Sequence, residues 1–79
     1  MKSIRIEYFA ILREHAGLEA ETIATEVATA ADLYAELERR HEFPQLSSIK
    51  VAINDEFGDW DSAVHDGDSV VFIPPVAGG

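Results

Sequence analysis

The chain has 79 residues, a formal net charge of −9, 47% apolar residues and no cysteine. That length holds one domain with a modest core, since a chain of about 60–80 residues buries only about 60% of its unfolded surface. The composition excludes a disulfide framework, a thiolate metal site, a catalytic thiol and a disordered acidic tail, and the negative charge argues against nucleic acid as a ligand.

The opening residues, Met1 to Glu7, interrupt their apolar character at every second position, unlike the core of a signal peptide. Ser3 to Phe9 alternates, with Ile4, Ile6 and Tyr8 on one face and Arg5, Glu7 and Phe9 on the other, which predicts a strand. Ala10 to Ala16 has no breaker, places Ile11, Leu12 and His15 at helical spacing and meets Gly17, so a short helix is expected. Glu21 to Val27 alternates again, as a second strand. Thr29, with Asp32 three residues on, opens the main helix. Ala30, Leu33, Tyr34 and Leu37 form its apolar face, Arg39 and Arg40 its basic last turn, and Pro44 its close.

Ile49 to Ile53 predicts a third strand and Asn54 to Gly58 a turn, with Phe57 able to begin a short strand. Asp59 to His65 is expected as a loop with a helical turn, and Asp66-Gly67-Asp68 as a tight turn with Gly67 at positive φ. Ser69 to Ile73 is the last strand. The longest aliphatic or aromatic run, Val70 to Ile73, falls far short of the about 20 residues that span a bilayer, so a cytoplasmic protein without membrane contact is expected. The predicted architecture is an α+β roll, a mixed sheet with one main helix packed on one face. Its expected core is Ile4, Ile6, Ile23, Leu33, Leu37, Val51, Ile53, Val70 and Phe72.

Charge is uneven along this order. Residues 1–40 carry eight acids and five bases, whereas residues 41–79 carry seven acids and one base, Lys50. A basic protein partner and simple solubility are both consistent with that surface.

No pattern inside the body points to an active site. His15, His41 and His65 lack the close pairing of a metal motif. Asn54, Asp55, Glu56, Asp59 and Asp61 miss the spacing of a calcium loop. Asp61, Ser62 and His65 have nothing to set up an oxyanion hole beside them. The ending is different. Pro74 and Pro75 have no amide to donate, so they stop the ladder and direct the chain away from a body spanning residues 1–73. Residues 74–79 reach roughly 15–20 Å when extended. Their side chains shrink through Val76 and Ala77 to Gly78 and Gly79. Such a thread fits a narrow channel in another protein and presents the Gly79 carboxylate at its tip. A carboxylate is a weak electrophile and needs activation, as an acyl-adenylate made with ATP, before an amine or sulfide can attack it. Without cysteine, the only attachment point for carried sulfur is Gly79.

Three segments resemble the sulfur-carrier (small) subunits of molybdopterin synthase, ubiquitin-like β-grasp proteins. They are Phe9-Ala10-Ile11-Leu12-Arg13-Glu14-His15-Ala16-Gly17, Val51-Ala52-Ile53-Asn54, and the stretch from Asp66-Gly67-Asp68 through Pro74-Pro75-Val76-Ala77-Gly78-Gly79. Departures are Ile53 in place of Val and an acidic loop around Trp60. The resemblance implies that a ubiquitin-activating-like adenylyltransferase uses ATP to adenylate Gly79 and that a persulfide donor then converts it to a thiocarboxylate. Pro74, Pro75, Val76, Ala77 and Gly78 insert with it into the large synthase subunit, where sulfur passes to cyclic pyranopterin monophosphate. It further implies a heterotetramer, no cofactor bound by this chain, and catalytic side chains on the partner, so the chain is a subunit and co-substrate rather than an enzyme alone.

Strand alternation independently predicts a docking patch. If Ile4, Ile6 and Tyr8 face the helix, Phe9 faces away; if Val70 and Phe72 face in, Val71 and Ile73 face out. Phe9, Phe57 and Ile73 then form an apolar patch at the root of the tail, unless Phe9 folds back on its own helix. Three other functions share the fold or the tail: a sulfur carrier for thiamine or another pathway, a modifier joined to lysines through Gly79, and a non-covalent adaptor. Isopeptide-linked Gly79 on cell proteins would mark the modifier, and survival of function without Gly79 would mark the adaptor.

Overall fold

The structure, a computed structural model, describes residues 1–43 and 48–74. Its elements are β1 (Lys2–Tyr8), α1 (Ala10–Ala16), β2 (Ala20–Thr25), α2 (Ala30–His41), β3 (Lys50–Ile53), β4 (Glu56–Gly58) and β5 (Ser69–Ile73). The strands form one mixed sheet in the order β2-β1-β5-β3-β4. β1 and β5 lie parallel at its centre, and the β1–β2, β3–β5 and β3–β4 pairs are antiparallel. This is the predicted β-grasp roll.

The local signals act as their chemistry requires. Ile4, Ile6 and Tyr8 are buried on β1 while Ser3 and Arg5 are exposed, a period of two. Gly17 ends α1 at φ 73, and its N–H donates to the Arg13 carbonyl. Thr29 Oγ1 accepts the Asp32 N–H at 3.2 Å, and Arg39, Arg40 and His41 occupy the last turn of α2. The C-cap of α2 is Glu42, in left-handed conformation; Pro44, expected to close the helix, lies outside the described residues. Asn54 and Asp55, at φ 52 and 70, make the two-residue turn with positive φ at both positions that suits a hairpin, and β4 starts one residue earlier than predicted.

The first strand lies one residue earlier at both ends than predicted, and β2 begins at Ala20 and stops at Thr25 rather than Val27. The helical turn expected between Asp59 and His65 is a single hydrogen-bonded turn, Ser62 N–H to Asp59 O at 3.0 Å. No helix grows there because the loop's carbonyls are used elsewhere. Those of Trp60 and Ser62 accept the N–H groups of Ala31 and Ala30, which have no partner inside α2. Val64 N–H donates in turn to the Ala28 carbonyl, so the loop is sewn to the start of α2.

Eight of the nine predicted core residues are buried between α2 and the sheet; Ile53 is only partly buried and packs at the edge of the cluster. Tyr8, Leu12, Ala30, Phe43, Ile49 and Val64 complete the core. Among the described residues, no helix is long and apolar enough to cross a membrane.

Candidate functional site at the end of the last strand

The turn at Asp66-Gly67-Asp68 fixes where β5 begins. Gly67, at φ 89, donates its N–H to the Ser3 carbonyl at 2.8 Å, and Asp66 Oδ1 accepts the Ser3 N–H at 2.6 Å, so β1 is gripped from both sides of one residue. Asp68 Oδ1 accepts from Asn54 Nδ2 at 2.9 Å and Oδ2 accepts the His65 N–H at 2.8 Å. These two bonds, the Asn54 bond first, hold the Asp68 carboxyl below the usual carboxylate range. Asn54 Oδ1 closes the clamp by accepting the Ser69 N–H at 2.9 Å. β5 therefore enters the sheet in one register, with Phe72 beside Tyr8 and Val51 and Ile73 beside Lys50.

The exit is equally held. Phe72 is fully buried, its ring edge-on to Tyr34 at 5.1 Å between centroids and stacked on Trp60 at 5.9 Å and 11°. Tyr34 also contacts Phe43 and Trp60, so an aromatic block stands behind the end of β5. Pro74 follows, buried and without an N–H. The rest of the predicted tail, Pro75, Val76, Ala77, Gly78 and Gly79, lies outside the described residues. Sequence reasoning missed Trp60 as a packing partner of Phe72, because a tryptophan between two aspartates in a loop carries no periodicity.

Of the predicted patch residues, Phe57 and Ile73 lie on one side of the sheet, and Phe9 lies just past the end of β1. Phe9 is 45% exposed and Phe57 74%, while Ile73 is half-buried. Phe57 pairs with Ala52, which pairs in turn with Val71, so a row of apolar side chains runs from β4 to β5 with Ile73 two residues beyond it. Phe9 follows Tyr8, the partner of Phe72, and caps α1 with its backbone while keeping its ring partly in solvent. Between Phe57 and Ile73, Ala52 and Val71 fill the row.

A second feature went unread. Tyr8 Oη donates to Glu21 Oε2 at 2.5 Å, and His41 Nε2 lies 2.6 Å from the same oxygen. Burial opposes the Glu21 charge, but the hydrogen bonds from Tyr8 and His41, with the His41 and Arg40 charges, outweigh it and hold the carboxyl below its ordinary value. Burial, and then the Glu21 carboxylate, push the Tyr8 hydroxyl far up. Nothing in the spacing of residues 8, 21 and 41 announces this cluster; it needs β2 paired to β1 and the end of α2 laid over both.

Chemically, the body offers a rigid exit and an apolar face. Ser62 Oγ accepts the Asp59 N–H at 2.9 Å, which makes it a turn residue rather than a nucleophile in waiting. Among the described residues, no three of His, Asp or Glu gather as a metal-ligand set.

Comparison with known proteins agrees with this arrangement. The ThiS family model matches residues 6–79. The molybdopterin synthase sulfur carrier subunit of Haemophilus influenzae is 34% identical over 80 residues, covering 96% of this chain and 99% of the relative. Among solved structures, molybdopterin converting factor subunit 1 of Pyrococcus furiosus superposes with a TM-score of 0.84 at 30% identity, over 96% of this chain and 100% of that one. A chain from the complex of subunits 1 and 2 of the molybdopterin-converting factor of Helicobacter pylori superposes at 0.67 with 25% identity, over 98% of this chain and 99% of that one.

Proposed function

The chain belongs to the ThiS family, and from that premise we propose that it is the sulfur carrier of molybdopterin synthesis, acting through Gly79. An activating enzyme of the adenylyltransferase type joins the Gly79 carboxylate to AMP from ATP, releasing pyrophosphate. The terminal sulfur of a persulfide donor attacks the acyl-adenylate and displaces AMP, giving an acyl disulfide, and a thiol then cleaves that S–S bond, leaving the thiocarboxylate on Gly79 and a disulfide on the donor side. The tail, residues 74–79, then enters the large subunit of the synthase, and the sulfur passes to cyclic pyranopterin monophosphate. The chain works in the cytoplasm, binds no cofactor itself and supplies the reacting group, while the surrounding side chains belong to its partners.

The observation that carries this reading is the family match running through Gly78-Gly79 at the end of a strand clamped at both ends. The Helicobacter complex supports a large-subunit partner. Phe9, Phe57 and Ile73 form the surface on which that partner rests.

The test is an intact mass of the protein purified from its own cell together with a Gly79-deleted variant. Part of the native population should be heavier by the difference between sulfur and oxygen. The deleted chain should fold normally, show no such gain and support no molybdopterin formation. A deletion that leaves molybdopterin formation intact would overturn the reading.

A further inference from the structure

The acidic loop around Trp60 plays no part in the tail chemistry. It borders an open cleft of about 460 Å³ lined by Ile49, Lys50, Phe57, Asp59 and Trp60, where the start of β3 parts from the end of β4. Two of its walls are aromatic. Trp60 is stacked on Phe72 and edge-on to Tyr34 and still keeps 37% of its surface exposed; Phe57 is 74% exposed with no aromatic partner among the described residues.

The charge around this cleft is one-sided. Asp55, Glu56, Asp59 and Asp61 lie within seven residues of chain, all exposed, and none forms an ion pair among the described residues. The carboxylates that hold the turns together are Asp66 and Asp68, a different set. Lys50 is the one base in the chain from residue 41 onward, and it too has no acidic partner within 4.0 Å among the described residues.

We propose that this cleft is a socket for an arginine side chain on a basic segment of a protein partner. The match is chemical. A guanidinium is planar and weakly hydrated, so it stacks against indole and phenyl faces at little desolvation cost. Its fork of N–H donors meets a carboxylate in a charge-assisted pair, and Asp59 sits on the rim for that role. The apolar stem of the arginine covers the aliphatic floor at Ile49. A lysine has the charge without the plane that lies flat on a ring or the fork that pairs with a carboxylate, so it has less to offset the repulsion of Lys50 on the same rim. The excess of acid beyond Asp59 attracts basic neighbours of that arginine and speeds the encounter. The socket lies one strand from β5, so a partner seated there is beside the exit of the tail.

The proposal does not depend on sulfur chemistry, and its test leaves Gly79 untouched. Trp60 is the only tryptophan, so its fluorescence reports on the cleft alone. The full chain is titrated with a hexa-arginine and a hexa-lysine peptide at low and at physiological salt. Hexa-arginine should change Trp60 emission saturably and bind at least fivefold more tightly than hexa-lysine. Asp59→Asn should weaken hexa-arginine about tenfold, and Phe57→Ala severalfold with the fold intact, since that ring is largely in solvent. Glu26→Gln removes the same unit of charge at the far end of the sheet and should change little. Equal affinities for the two peptides, or equal losses for Asp59→Asn and Glu26→Gln, would show only general attraction to an acidic protein and would overturn the socket.

Discussion

Val70 and Phe72 point into the core and are fully buried, whereas Val71 and Ile73 alternate with them on the same strand and keep part of their surface in solvent on the other side of the sheet. Both pairs are apolar, so hydrophobicity alone does not distinguish them. The difference lies in what covers them. The inner pair shares the core cluster with Leu33 and Leu37 of α2, whereas the outer pair has, among the described residues, its sheet neighbours Glu7, Ala52 and Lys50 beside it. Burial energy is gained on folding by the first pair and is left in large part for association by the second. One five-residue strand thus holds the fold together with one set of side chains and offers a surface with the other.

Breaking the inner face should produce the larger effect. Phe72→Ala removes a ring in contact with both Tyr34 and Trp60, and should cost about 3–5 kcal/mol in urea unfolding. A cost below about 1 kcal/mol would mean that the aromatic block does not fix the exit of β5. On the outer face, Ile73→Glu should leave the free chain folded, with stability changed by no more than about 1 kcal/mol. Its affinity for the large subunit, measured by calorimetry, should fall about thirtyfold. Unchanged affinity would remove Ile73 from the docking surface and restrict the comparison to folding.

The same contrast marks what could be read in advance. Period-two alternation in β1 and β5 gave both faces, because a strand's side chains leave no other choice once one face is covered. The helix limits followed from Thr29 and Gly17, whose chemistry is local. The Asp66-Gly67-Asp68 turn was equally legible. What stayed hidden depends on distant partners. Trp60 is placed by carbonyls that accept from the first amides of α2, and Val64 by the same stitching. Ile53 looked like core by alternation and lies between Val70 of β5 and Glu56 of the three-residue edge strand β4, but it packs at the rim of the cluster and is only partly buried. The tail's composition was readable outright, and with it the Gly78-Gly79 ending that the family match includes.

The smallest expected effect concerns a polar cluster on the inner face. Glu21 lies at the edge of the core with its side chain 17% exposed and accepts from both Tyr8 and His41. Glu21→Gln keeps the shape and removes the charge that both donors meet, and should cost about 1.5 kcal/mol at neutral pH. The carboxyl is held below its ordinary value of 4.5, so its stabilisation is complete above that value and is lost as pH falls through the lower folded value. Urea midpoints of the native chain should therefore drop toward those of the variant as acid is added, and the gap between the two should narrow below pH 4.5. A gap that stays constant across that range would show that the pair of donors holds Glu21 by shape alone. The Glu21 charge would then add nothing to the inner face, and the contrast of that face with the outer one would rest on coverage by α2 rather than on this cluster.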